Sequence, residues 1–233
     1  CRMSLVIFNG SPRGTGSNSK LMADSFLKGF TAESSEESKV FYLIKKKDLE
    51  LHKEEFKNAE KVIFIFPLYT DAMPGMVKEF FEEAEEYNSE NKKIGFIVHS
   101  GFPEAIHSEC LAEYLKRFAE IIKAEYTGTV IAGGSEALKF TDEKMQNKKL
   151  APFYALGSRY ASNSKFDSEI TENLSKIRRF NGFILVILKI YISLGIFNIN
   201  WNKILKKMTI SSVQIFVAIA LMIFSVFLGL GMI

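Results

Sequence analysis

Five short apolar runs alternate with amphipathic helical stretches along most of this chain. Parallel strands are buried on both faces and need a crossover helix, so this alternation predicts an α/β fold with a doubly wound five-stranded parallel sheet. The predicted strands are residues 4–8, 39–44, 61–66, 92–99 and 124–131. The predicted helices are residues 17–30, 48–59, 74–87, 105–123 and 141–158.

The charge of the 233-residue chain is unevenly distributed. Residues 181–233 hold four lysines and no acidic residue, whereas residues 1–180 hold 26 basic and 27 acidic side chains. The body therefore carries −1, although the whole chain carries +3. Because the basic excess lies outside the body, we expect no nucleic-acid partner.

The two cysteines, Cys1 and Cys110, are far apart and belong to no Cys or Cys/His motif. This excludes a zinc finger, an iron–sulfur cluster and a disulfide framework, and we predict no metal site. No basic region followed by an apolar core precedes the first strand, so we expect a cytoplasmic body in a reducing compartment.

Ligands of doubly wound sheets bind beyond the carboxyl ends of the strands. The loop after the first predicted strand is rich in hydroxyls and glycine and precedes a helix N-terminus, as a phosphate site requires. It offers Ser11, Arg13, Ser17, Asn18 and Ser19. It lacks a P-loop lysine, which favours a flavin mononucleotide phosphate over ATP. The simpler alternative is a turn with a serine cap.

Two further loops suit a flat, apolar ring. After the third strand, Pro67, Leu68, Tyr69 and Met73 supply stiff ends, an aromatic face and a thioether. After the fourth strand, Ser100, Gly101 and Phe102 offer polar contacts and an aromatic wall. Alternatively, Tyr69 and Met73 only cover the sheet end. We interpret His99 as structural, and no residue is singled out as a general acid or base.

These three loops resemble the NAD(P)H-dependent FMN reductases and related oxidoreductases of the flavodoxin-like superfamily. The matching motifs are Gly10–Arg13 with Ser17–Ser19, Pro67–Tyr69 with Met73, Pro74 and Lys78, and Ser100–Glu104. The resemblance implies sheet order 2-1-3-4-5, bound FMN, NADH or NADPH as electron donor, and commonly a homodimer. It implies that Ser11, Arg13, Ser17, Asn18 and Ser19 hold the phosphate. Pro67, Leu68, Tyr69 and Met73 would then lie along the isoalloxazine, with Ser100, Gly101 and Phe102 at its other edge.

The leading hypothesis is an FMN-dependent oxidoreductase that passes electrons from NAD(P)H to a small acceptor such as a quinone, a flavin or a nitro compound. A flavodoxin-like electron carrier for a protein partner is the alternative. The body charge of −1 favours the enzyme, because dedicated carriers are often strongly acidic. A membrane-tethered module that has lost its flavin is the third hypothesis.

A hydrophobic helical extension follows the body. We predict an FMN-binding domain over residues 1–180, an amphipathic or packing helical segment over 181–208, and a transmembrane helix over 209–233. Residues 215–233 are uncharged and span about 28 Å as a helix, close to the hydrocarbon thickness of a bilayer. Residues 213–233 would form the anchor, with Lys203, Lys206 and Lys207 on the cytoplasmic side. An aberrant terminus is the alternative.

Overall fold

The computed structural model describes residues 5–84, 87, 89–177, 179–180, 182–193, 195 and 202. The chain divides into two compact units, residues 1–180 and 181–233. The strands of the first unit are β1 (Leu5–Asn9), β2 (Ser38–Tyr42), β3 (Lys61–Pro67), β4 (Lys93–His99) and β5 (Glu125–Ala132). Its helices are α1 (Asn18–Glu33), α2 (Leu49–Asn58), α3 (Gly75–Ala84), α4 (Glu109–Ile121), α5 (Glu143–Asn163) and α6 (Ser168–Leu174).

The strands form one parallel sheet in the order β2-β1-β3-β4-β5. The predicted fold class and strand order are therefore confirmed. Because β1 and β3 are parallel neighbours, the loops that follow them leave the same edge of the sheet side by side. The strand order also reverses at this point, since β2 lies on the other side of β1. A cleft at this edge is where such folds bind ligands.

The sheet is covered by helices on both faces, and successive strand residues alternate between the two cores. One core is rich in phenylalanine and places Phe8, Phe64 and Phe96 of the strands against Phe80 and Phe81 of α3. The strand residues of the other core, which include Ile7, Ile63 and Ile97, are aliphatic and pack against α1 and α5. Because β1, β3 and β4 are almost entirely buried, their carboxyl ends are fixed supports for the loops that follow.

Helices α1 and α5 cross at two glycines. A Cβ on Gly29 would lie 1.9 Å from the carbonyl oxygen of Tyr154, and a Cβ on Gly157 would lie 1.9 Å from that of Phe26. Any side chain would force the two backbones apart. This close contact holds α1, whose N-terminus faces the cleft, against the sheet.

Several helix boundaries differ from the predicted ones. Helix α4 begins only at Glu109, after a 3₁₀ turn over Ala105–Ser108, as is frequent at helix N-termini. Helix α5 continues to Asn163, where Ser164 adopts a left-handed conformation with φ 52°. Helix α6 was not predicted because its seven residues hold only two apolar side chains, Ile170 and Leu174, which are partly buried against the core. Asp167 caps it by accepting the N–H of Ile170.

The described part of the second unit contains α7 (Gly182–Ser193), an apolar helix whose single charged residue is Lys189. No helix within the described ranges is both long and apolar enough to cross a membrane. The predicted transmembrane segment, residues 209–233, lies outside the described residues.

Candidate functional site

The loop from β1 to α1 is held in shape by Asn9, the last residue of β1. Its side-chain oxygen accepts the N–H of Ser11 at 2.9 Å, and its amide nitrogen donates to Ser17 Oγ at 3.2 Å. A Cβ on Gly10 would lie 2.2 Å from Val77 Cγ2 of α3, so this position requires glycine. The loop is therefore tied to the sheet and packed against α3.

Ser17 is the N-cap of α1. Its hydroxyl accepts the N–H of Lys20 at 3.1 Å and donates to the carbonyl of Gly14 at 2.6 Å. The cap supports a 16-residue helix whose N-terminus carries the positive end of the helix dipole. Anions are stabilised at such an N-terminus.

Arg13 lines the same cleft as Asn18, the first residue of α1, and contributes a guanidinium to it. Both Nη1 and Nη2 lie 3.3 Å from Oε1 of Glu136, and the two side chains are 48% and 39% exposed. The backbone N–H of Arg13 donates to Ser11 Oγ at 3.3 Å. The rim of the cleft thus carries one cation, a serine hydroxyl and a carboxylate.

A buried polar chain lies beneath the cleft. His99 Nε2 is 2.7 Å from Ser19 Oγ, and His99 Nδ1 is 2.8 Å from Ser135 Oγ, which donates to the carbonyl of Ser100 at 2.9 Å. Burial, reinforced by the charge of Arg13, lowers the pKa of His99 to about 3. His99 is therefore a neutral imidazole that joins α1, β4 and the segment after β5.

The segment after β5 forms one wall of the cleft. The side-chain amide of Asn18 donates to the carbonyl of Ser135 at 2.7 Å, which leaves Asn18 Oδ1 buried with no hydrogen-bond partner among the described residues. Lys139 Nζ donates to the carbonyl of Gly16, so this segment closes on the loop after β1 at more than one point. The contacts place Glu136 at the mouth of the cleft.

Tyr69, which lines the cleft, begins a tight turn after β3. It exchanges backbone hydrogen bonds with Ala72, and Thr70 and Asp71 have φ values of 49° and 61°, as in a type I′ turn. A β-branched residue such as Thr70 is strained in this region. The Tyr69 side chain remains 43% exposed, and partial burial raises the pKa of its phenol, so the hydroxyl stays protonated at neutral pH.

The loop after β4 meets this turn. Ser100 Oγ donates to the carbonyl of Phe102 at 2.7 Å, and the Phe102 ring lies 5.6 Å from that of His107. His107 Nδ1 in turn lies 3.4 Å from Asp71 Oδ1. The two loops predicted to flank a flat ring are thus in contact through His107.

These elements enclose a cleft with an open volume of about 320 Å³, including space open to solvent. Seven of the predicted site residues line it: Ser11, Arg13, Asn18, Pro67, Leu68, Tyr69 and Gly101. The other five do not. Ser17, Ser19 and Ser100 direct their hydroxyls into the protein, Met73 packs on the aromatic core, and Phe102 packs on His107.

Sequence reasoning missed three lining residues, His99, Ser135 and Glu136. The signal was available for two of them. The run Gly133–Glu136 follows β5, and the carboxyl end of β5 lies at the same edge of the sheet as those of β1, β3 and β4. His99 was interpreted as structural, and its two buried hydrogen bonds agree with that role.

The family model described as flavodoxin-like fold matches residues 3–153. The chain therefore belongs to the flavodoxin-like family, as its three loops led us to expect. The comparison with curated proteins gives no match.

Solved structures show the same fold. An FMN-dependent NADH-azoreductase from Bacillus anthracis, in complex with FMN, is 15% identical with a TM-score of 0.54, over 68% of this chain and 100% of that one. An NADPH-quinone reductase from P. pentosaceus is 17% identical with a TM-score of 0.53, over 69% and 99%. An NAD(P)H:quinone oxidoreductase from Methanothermobacter marburgensis is 14% identical with a TM-score of 0.51, over 68% and 97%.

Proposed function

We propose that this protein is an FMN-dependent oxidoreductase that takes electrons from NADH or NADPH and passes them to a small acceptor such as a quinone, a flavin or a nitro compound. The observation that carries the proposal is the cleft itself. At one edge of a flavodoxin-like sheet its lining combines the guanidinium of Arg13 and the first residue of α1 with the apolar and aromatic side chains of Leu68 and Tyr69. FMN carries the two matching groups, a phosphate and a flat ring system.

The residues of the cleft fit this cofactor. Arg13, Ser11 and the N-terminus of α1 form the phosphate end, where charge-assisted hydrogen bonds are strongest. Ser17 and Ser19 act indirectly, Ser17 by capping α1 and Ser19 by joining α1 to His99. Asn18 Oδ1, buried with no hydrogen-bond partner in the described part of the chain, is an acceptor of the kind that a ribityl hydroxyl satisfies.

Pro67, Leu68, Tyr69 and Gly101 form the ring end. The phenol and the Leu68 side chain offer apolar surface, and the type I′ turn fixes the direction of Tyr69. A flavin held by these residues would supply the redox chemistry, hydride acceptance from a nicotinamide and electron transfer to an acceptor. The chain's own contribution is to bind the cofactor, hold its ring at the carboxyl end of the sheet and restrict water there.

The structural neighbours favour the same class of reaction. Their names describe an FMN-dependent NADH-azoreductase, an NADPH-quinone reductase and an NAD(P)H:quinone oxidoreductase. Azo compounds and quinones are both small electron acceptors, which supports a small molecule over a protein partner. The resemblance of the three loops also leads us to propose a homodimer, which sedimentation equilibrium tests.

The test is an anaerobic titration of the FMN-loaded protein with NADH and, separately, NADPH. We expect the oxidised-flavin absorbance to bleach with one equivalent of nicotinamide and to return when a quinone is added. Protein that binds no FMN contradicts the proposal. Protein that binds FMN but is reduced by neither nicotinamide, and accepts electrons only from a reduced protein, supports the electron carrier.

Attachment to a membrane through residues 213–233 is a separate proposal. Its support is the uncharged run 215–233, the four lysines of residues 181–233 and the absence of acidic residues from that segment. Apolar helix α7 belongs to the same segment. The lysines before residue 215 favour a cytoplasmic body.

A further inference from the structure

We infer that Glu136 is a built-in competitor for the phosphate of the cofactor, so that its carboxylate sets the affinity of the cleft for anions. The inference rests on the proposed function, because it takes the physiological anion to be the phosphate of FMN. The sequence motifs assign no such role to Glu136, because the last motif lies in the loop after β4 and Glu136 follows β5.

The geometry of the ion pair supports this role. Nη1 and Nη2 of Arg13 are both 3.3 Å from one oxygen of Glu136, so the guanidinium fork is directed at that carboxylate. The same fork recognises phosphate oxygens. A phosphate bound by Arg13 must therefore displace Glu136 or lie beside a like charge.

The position of Glu136 is fixed by the backbone around it. The N–H of Ser135 donates to the carbonyl of Ser100 at 2.8 Å, and Asn18 binds the carbonyl of Ser135. A Cβ on Gly101 would lie 3.4 Å from Glu136 Cβ, so the side chain lies against the loop after β4. The backbone that carries Glu136 is thus held at the cleft by α1 and by the loop after β4, independently of Arg13.

The exposure of the pair allows exchange. The Arg13 and Glu136 side chains are 48% and 39% exposed, and exposed ion pairs of this kind are weak. A phosphate ester, with more charge and more acceptor oxygens than a carboxylate, is the stronger partner for Arg13 at the positive end of α1. The carboxylate therefore lowers the affinity for phosphate without abolishing binding.

Lys139 lies on the same segment as Glu136 and carries the opposite charge. It lies three residues beyond Glu136 and donates to the carbonyl of Gly16, so the same segment brings one anion and one cation to the loop. Removal of the lysine charge should weaken phosphate binding, whereas removal of the Glu136 charge should strengthen it. Glu143, exposed in the first turn of α5, provides a charge-matched control.

The experiment measures dissociation constants of FMN, riboflavin and inorganic phosphate by calorimetry for the wild type, Glu136→Gln and Glu143→Gln. We expect Glu136→Gln to bind FMN and inorganic phosphate about fivefold more tightly. Riboflavin, which lacks the phosphate, should bind all three proteins equally, and Glu143→Gln should match the wild type. In an Arg13→Ala background the gain from Glu136→Gln should disappear.

The outcomes separate this inference from the proposed function. If the wild type binds FMN but Glu136→Gln binds FMN and phosphate no more tightly than the wild type, the inference alone is overturned. If the wild type binds no FMN, and only Glu136→Gln shows an increased affinity for phosphate, the proposed function is overturned and the competition at Arg13 is supported. Equal tightening in Glu136→Gln and Glu143→Gln, or the same gain without Arg13, overturns the inference.

Discussion

His99 Nε2 lies 2.7 Å from Ser19 Oγ, and this buried contact joins the end of β4 to the first turn of α1. The imidazole also contacts Ser135, so a single neutral side chain connects three of the segments that form the cleft. A protonated imidazole would lose one acceptor and place a positive charge in a buried site near that of Arg13. The contact therefore requires the neutral form.

This contact predicts an acid-sensitive fold. The unfolded chain binds a proton at His99 below about pH 6.5, whereas burial keeps the folded state unprotonated down to a pKa of about 3. The contribution of His99 to stability is therefore greatest above pH 6.5, and falls by at most about 1.4 kcal/mol per pH unit as the pH decreases toward 3. We expect urea denaturation to give a shallower pH dependence for His99→Gln than for the wild type. Identical slopes would contradict the assignment.

The close crossing of α1 and α5 predicts that one added methyl group at Gly157 destabilises the fold. Alanine normally favours a helix over glycine by about 1 kcal/mol. At Gly157, however, the new Cβ would lie 1.9 Å from the carbonyl oxygen of Phe26. We expect Gly157→Ala to lower the free energy of unfolding by about 1–3 kcal/mol or more, as overpacking does. Urea titration measures the free energy of unfolding, and Arg159→Ala on the exposed face of α5 is the control. Equal stability of the two variants would refute the close crossing.

Substitution of Tyr69 should weaken FMN binding without lowering the stability of the fold. Its side chain is 43% exposed, so Tyr69→Ala should leave the melting temperature nearly unchanged. Stacking of a planar ring on an aromatic side chain contributes about 1–3 kcal/mol, so FMN binding should weaken about tenfold. Tyr69→Phe, which keeps the ring, should retain most of the affinity. If Tyr69→Ala instead unfolds most of the protein, and the fraction that remains folded binds FMN as tightly as the wild type, Tyr69 is a core residue and not a ligand contact.

The membrane proposal predicts a separable anchor. Each lysine at the centre of a spanning helix costs about 2.5–3.5 kcal/mol, so the double change Ile219→Lys, Ile223→Lys should abolish membrane insertion. FMN binding should be unchanged, since the cleft belongs to residues 1–180. The measurement is fractionation of cells that express either the wild type or the double lysine variant, and a protein without residues 208–233 is the matched control. A full-length protein that is found outside the membrane fraction would exclude the anchor.

The sheet was predictable because its strands carry their own signal. Residues 5–8 of β1 and 62–66 of β3 are continuously apolar, and strand order followed from the resemblance of the loops. Helix α6 was missed because it is only seven residues long, and its apolar face consists of Ile170 and Leu174 alone.

The site was predictable only in part. The loops after β1, β3 and β4 contain distinctive residues, but Glu136 reaches Arg13 across 123 residues of sequence, and no local pattern encodes that contact. The roles of Ser17 and Ser19 could not be predicted for a related reason. A hydroxyl in such a loop can face a ligand or the protein, and the choice depends on partners such as His99.

The measurement that tests the central claim most directly is the ratio of the dissociation constants of riboflavin and FMN, determined for the wild type and for Arg13→Ala. Charge-assisted hydrogen bonds contribute about 1.5–3 kcal/mol each, so the wild type should prefer FMN to riboflavin by at least about tenfold. Arg13→Ala should lose most of that preference without any change in riboflavin affinity. Equal binding of FMN and riboflavin by the wild type, or an undiminished preference in Arg13→Ala, would contradict a phosphate site at the N-terminus of α1.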